Sequence, residues 1–362
     1  MSMFPGKTPT QLLQMVPLVF TLCGNAQAYT ALRVCQAAEG ISNPPEIDTA
    51  QRLLLQLESL REHAWRILLD WPKFIGDKAD KAAMSDLLKF DRQFKGALFK
   101  QGEAFKFTSV LENDTALVSQ RINVLQQLIT EKIFSGQLEG FLELTTEAQF
   151  HTWLAVNPSP SATLLRMIYQ NAWAGIGQNS IGCLPKLDSE ALDWHMQQSG
   201  LQTFVKSPQW QGNCYESTVL NRQRSHPLIV ELTSCYGNSL LVRLVARLLE
   251  VAYIIKHLQL WREPIPADSL PLVQVFGQEG VGLVQVQAAR GLLLHRLVLE
   301  HGRVQDYRIV APTEWNFHPN GVVTASLQQL QADSIQLLQQ QAELLINAID
   351  PCVEYQLNMI AS

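Results

Sequence analysis

Residues 286–316 read VQAARGLLLHRLVLEHGRVQDYRIVAPTEWN. Short apolar runs separated by glycine and by charge follow a period of two, which predicts strands rather than helix. Within them LVLEHGRVQDYRIV predicts a hairpin that turns at His301 and Gly302. Working backward, LVQVFGQEGVG extends the pattern, so residues 272–312 are expected to form a small antiparallel β region. The glycines of GQEGVG lack the Lys and Ser/Thr of a phosphate cradle and predict a turn or bulge. Arg290 sits between two strand-like runs, next to a glycine that allows close backbone approach. A buried guanidinium needs an anion or several acceptors, so Arg290 faces either a small anionic ligand or a core carboxylate. Thr313 and Trp315 of APTEWN supply a hydroxyl and a core aromatic.

Outside this region the pattern is helical. Leu240 to Trp261 places Leu244, Leu248, Val251 and Ile255 on one face and Arg243, Arg247 and Glu250 on another, and REPIPADSLP ends it. Thr49 to Trp71 places Leu53, Leu57, Leu60, Ala64 and Ile67 at helical spacing and is expected to stop at Pro72. A Gln- and Leu-rich helix is expected from Ser326 to Ala348, broken by Asp350 and Pro351 before Cys352. Residues 73–190 read as mostly helical, interrupted by NPSPSA and WAGIGQNSIGCLP. The fold class is therefore mainly α (α+β), with residues 1–362 expected to form a single domain.

Composition narrows the function. The chain has 28 Lys+Arg against 33 Asp+Glu and no basic stripe, which disfavours nucleic acid. LLVRLVARLLEVAYIIKHL carries charges inside its most apolar stretch, so no membrane span is expected. KTPTQLLQMVPLVFTLCGNAQA imitates a signal peptide, but Gln11, Gln14 and Pro17 interrupt its apolar part. Six cysteines scattered without a secreted framework suggest a reducing, cytoplasmic setting. His63, His226, His295 and His318 show no ligand spacing, there is no GxSxG elbow, and Glu216 and Arg222 read as a helix start.

Two cysteines stand apart. Cys23 in LCGN and Cys352 in DPC lie near opposite ends of the sequence, each beside turn-forming residues. Two thiolates could hold a soft metal such as iron or nickel, although a single Cys is more often a small buried hydrophobe. Neither has a CxxC companion, which disfavours structural zinc.

In this order, CGNA, RLLLQLESLREHAWRILLDWP, YESTVLNR, the 286–316 stretch and DPCVEY resemble the large subunit of NiFe hydrogenases, and more closely the HupK/HoxV-type maturation proteins of that family. The resemblance implies the helical core of the hydrogenase large subunit with its small β region. Residues 73–190 have no recognisable counterpart and are expected to be a divergent helical part. In the hydrogenases two cysteine pairs hold nickel, and the second of each pair bridges to an iron carrying cyanide and carbon monoxide. This sequence keeps the first of each pair, Cys23 and Cys352, but has Ala26 and Tyr355 at the bridging positions. The family's glutamate strand before the first motif is missing, HPNG replaces an Arg-Asp pair, and Asn358 replaces the last His. The stop at Ser362 leaves little for the C-terminal processing of catalytic subunits.

Arg290 and Thr313 align with residues that donate to iron-bound cyanide, with Pro312 beside them; Ala289 and Gln287 depart from the family pattern. The expectation is a non-enzymatic scaffold that holds the Fe(CN)2CO group through Cys23 and Cys352, without nickel. It would pass that group to a hydrogenase large subunit and work with a HypC-type chaperone and the HypD iron-assembly protein. Two alternatives stay open: a metal-free assembly chaperone, and a divergent nickel-dependent subunit recruiting Cys35, Cys183, Cys214 or Cys235. The scaffold reading requires Cys23 and Cys352 to approach one another near Arg290.

Overall fold

Strand β3 (Gly291–Glu300) is buried on both faces over most of its length, and the architecture follows from how each face is covered. In the computed structural model, which describes residues 3–20, 23–112, 114–261, 273–353 and 355–358, it pairs antiparallel with β2 (Val281–Ala288) and β4 (Arg303–Val310). β1 (Val273–Gln278) completes a four-stranded meander in sequence order. The hairpin turns at His301 and Gly302, both at positive φ, as expected. The Glu279–Gly280 step is likewise a turn between β1 and β2. Position 272 and REPIPADSLP lie outside the described residues.

Alternation sorts the side chains onto two faces. Val284, Val286, Leu293 and Leu297 pack with helices α1 (Pro9–Val19) and α2 (Gly24–Glu39), whereas Leu283, Leu292, Leu294 and Val310 pack with Trp315, Leu192 and Phe204. Helix α2 lies directly on the sheet because Gly282 has no Cβ; one there would overlap the Val34 carbonyl oxygen. The segment that imitates a signal peptide is α1 and the start of α2, with Leu12, Leu13 and Val16 buried in this layer. Among the described residues no helix is long and apolar enough to cross a membrane.

The larger core is helix on helix, around the buried Leu240–Gln259 helix and α3 (Pro45–Trp65). Arg243, Arg247 and Glu250 do share a region of the former, and all three are buried. Two expectations need correction. The helix through Trp71 does not stop at Pro72: α3 passes into a π-turn, Arg66–Asp70, and a last α-turn, Trp71–Phe74. Pro72 falls in the first turn of that piece, where no intrahelical donor is needed. The Ser326–Ala348 helix is two, Val322–Leu327 and Ile335–Ile349, because Ser334 caps the second by accepting from Leu337 N–H.

Candidate site at the two chain ends

The DPC motif begins where the Ile335–Ile349 helix ends. Asp350 caps it at φ 68, a left-handed conformation that turns the chain and leaves its carboxylate buried. Three arginines converge on that carboxylate: Arg66 Nη2 at 2.7 Å, Arg290 Nε at 3.1 Å and Arg247 Nη2 at 3.4 Å. Burial alone would raise its pKa, but Arg290, Arg247 and Arg66 outweigh it and hold Asp350 well below the usual carboxylate range. Arg290 also donates to Glu62 Oε2 at 2.8 Å. Both readings of Arg290 thus bear on one residue: it is paired with carboxylates, and it lines an open cleft with Cys352.

The Cys352 N–H donates to Thr313 Oγ1 at 3.2 Å, and the same oxygen lies 2.7 Å from Cys352 Sγ. Thr313 is fixed by the short helix Pro312–Asn316, whose buried Pro312 opens it. Asn316 at its end accepts from Ser217 N–H at 2.7 Å and donates to the Ser217 and Arg290 carbonyls. Gly291 makes this closure possible, since a Cβ there would overlap the Ser217 carbonyl oxygen.

Cys23 caps α2 from the other end of the chain, and its Asn25 and Ala26 N–H groups donate to Glu58 at 2.7 and 3.0 Å. A carboxylate at a helix N-terminus suits the helix dipole. Burial pushes the Cys23 thiol up to about 12, helped by Glu58 and by the Cys352 thiolate, while Gln27 and Arg290 work the other way. Cys352 is raised by burial and lowered by Thr313 and Arg290. Both thiols feel the Arg290 charge, and both are free.

A cleft of about 790 Å³ opens over Cys352, lined also by Arg66, Arg290, Trp65 and Tyr355. At the two bridging positions, Ala26 is buried with its N–H on Glu58, and Tyr355 is 41% exposed at this cleft. Among the described residues no three His, Cys, Asp or Glu side chains converge as metal ligands.

Sequence reasoning missed the carboxylates. Glu58, Glu62, Arg66 and Asp70 recur every four residues and all face this site or its wall. Glu216 and Arg222, read as a helix start, form buried ion pairs with Arg243 and Glu250 at 2.8 Å each. His63 is buried, neither ring nitrogen has a partner, and burial with Arg247 holds it neutral.

A family model described as nickel-dependent hydrogenase matches residues 72–355, a span that takes in Arg290, Thr313 and Cys352. The chain belongs to the nickel-dependent hydrogenase family. That match runs through residues 73–190 and begins beyond Cys23. Full-length similarity covers the rest. The hydrogenase expression/formation protein HoxV of Cupriavidus necator is 29% identical, across 97% of this chain and 87% of its own length. The expression/formation protein HupV of Azotobacter chroococcum is 26% identical, across 98% and 89%. Among solved structures, the reduced, active Ni-Fe-Se hydrogenase of Desulfomicrobium baculatum superposes with a TM-score of 0.65 at 14% identity, covering 96% of this chain and 90% of that one. The hydrogenase-large-subunit fold with its small antiparallel sheet is thus the fold of this chain.

Proposed function

We propose that this protein is a maturation scaffold that carries an Fe(CN)2CO group rather than turning over dihydrogen. The observation that supports it is the pair of free thiols from opposite chain ends that both feel the Arg290 charge, with Glu58 accepting from the helix start behind Cys23 and Thr313 lying against Cys352. The relatives named as hydrogenase expression/formation proteins favour assembly over catalysis. Cys23 and Cys352 would bind the iron, and Arg290, Thr313 and Pro312 would face its cyanide and carbonyl ligands. Both thiols rest protonated, so iron displaces their protons on arrival and they return on release. Two exchangeable thiolates suit delivery to a hydrogenase large subunit, loading coming from partners of the HypC and HypD type.

The test is infrared spectroscopy of the protein purified anaerobically from cells that express the assembly machinery. Cyanide and carbonyl bands are expected in the wild type and absent in Cys23→Ser and Cys352→Ser. A folded protein with no such bands that still captures the client large subunit would establish the metal-free chaperone instead. Stoichiometric nickel with dihydrogen turnover would establish the divergent enzyme.

A further inference from the structure

Cys214 and His318, 104 residues apart, meet with Cys214 Sγ 3.2 Å from His318 Nδ1. Each is set by a tight turn. Trp210 and Asn213 exchange backbone hydrogen bonds at 3.0 Å around Gln211 and Gly212, both at positive φ, and Cys214 follows directly. His318 opens the turn His318-Pro319-Asn320-Gly321, closed by Gly321 N–H to His318 O at 2.7 Å with Pro at its favoured second position. The imidazole is buried, while the thiol is partly exposed.

The hydrogen bonds fix the tautomer. Asn320 N–H donates to His318 Nδ1 at 3.0 Å, so that nitrogen carries a lone pair and the ring proton sits on Nε2. Cys214 Sγ lies 3.2 Å from the same nitrogen, which the thiol shares with Asn320 N–H. Among the cysteines, Cys35 is fully buried and Cys235 is exposed with only Ser234 beside it at 3.9 Å, whereas Cys214 touches a base. A thiol in contact with a neutral imidazole is the arrangement that activates cysteine toward electrophiles.

We propose that Cys214 and His318 form a reactive thiol dyad, a modification site for low-molecular-weight disulfides that is separate from the Cys23–Cys352 site. As the Cys214 sulfur attacks one sulfur of the disulfide, His318 Nδ1 takes its proton. The new S–S bond forms, the old one breaks, and the departing thiolate collects the proton from the imidazolium. Cys214 is oxidised to a mixed disulfide and half of the reagent is reduced to a thiol, with no further oxidant. Burial raises Cys214 and lowers His318, so the resting pair is thiol and free base, and reaction proceeds by base assistance rather than from a standing thiolate.

The experiment treats the reduced full-length protein with limiting oxidised glutathione and follows each cysteine by peptide mass spectrometry. Exposure alone puts Cys235 first; the dyad puts Cys214 first. In His318→Asn, which keeps an acceptor for Asn320 N–H but no base, the Cys214 rate should fall at least about tenfold with Cys235 unchanged. Within the wild type, the Cys214 rate should change little from pH 7 to 8, whereas attack by a standing thiolate climbs with pH. Cys214 lagging Cys235, a Cys214 rate that climbs several-fold from pH 7 to 8, or equal Cys214 rates in wild type and a folded His318→Asn would each overturn the proposal. Cys352→Ser should leave Cys214 reactive, which keeps the outcome independent of iron binding.

Discussion

Asp350→Asn isolates the charge that organises the site. Asn tolerates the left-handed conformation that Asp350 adopts at φ 68, so the substitution removes charge without straining the turn. It leaves Arg66, Arg247 and Arg290 with one carboxylate fewer, but unequally. Arg290 keeps Glu62 and Arg66 keeps Asp70, whereas among the described residues buried Arg247 retains only the Asn347 and Ala348 carbonyls, with Nε and Nη1 unpartnered there. Breaking such a buried pair costs roughly 3–5 kcal/mol, chiefly from the charge left behind. Unfolding entropy of ~2.1 cal/mol/K per residue over 362 residues converts that to a fall in Tm of about 4–7 °C. Calorimetry at neutral pH and fixed salt measures it. Adding Arg247→Met should recover at least about half of the loss, since a buried charge and its missing partner then vanish together. A fall in Tm below about 1 °C, or no recovery in the double variant, would refute the reasoning that Arg247 depends on Asp350.

Three further outcomes follow from the same geometry. His295 is held between Gln27 Oε1 at 2.9 Å and Tyr307 at 2.7 Å, and burial pushes it down to about 3. Its folded-state value lies below its unfolded one, so its contribution is complete above about pH 6.5 and is lost as pH falls toward 3. Unfolding free energies from urea titration should therefore drop by up to about 1.4 kcal/mol per pH unit more in wild type than in His295→Gln across that window. Gly291→Ala, at φ 133 and against the Ser217 carbonyl, should cost roughly 2–5 kcal/mol in urea unfolding. Thr313→Val removes the hydroxyl that lowers Cys352, so alkylation of Cys352 at pH 8 should slow by a few fold while Cys235 is unaffected.

The β region was legible because its signal is local: a period of two and a His-Gly turn fix strands and register within forty residues. The order of the family motifs pointed to Cys23, Cys352, Arg290 and Thr313, and Thr313 does lie against Cys352. What escaped depends on contacts distant in sequence. Nothing in LESLREHAW marks Glu58 and Glu62 as buried, because their partners lie at Asn25 and at Arg290. The π-turn at Arg66–Asp70 escaped because apolar spacing does not encode a widened turn, and Pro72 looked like a stop although the helix restarts around it. The Ser326–Ala348 split escaped because QQLQADS is as polar as an exposed helical face.

That π-turn has a mechanical consequence. Along an ideal α-helix a side chain every four residues drifts by about 40° per step, so a four-residue ladder wanders off any fixed edge. One wider turn winds some of that drift back. Glu58 reaches the backbone behind Cys23, Glu62 reaches Arg290, Arg66 reaches Asp350, and Asp70 accepts from Arg66 and Lys73. One rod therefore acts as a splint between the beginning and the end of the chain. Helical phase thereby ties the two ends together, so inserting a single residue between Glu62 and Arg66 would throw one end out of step with the other.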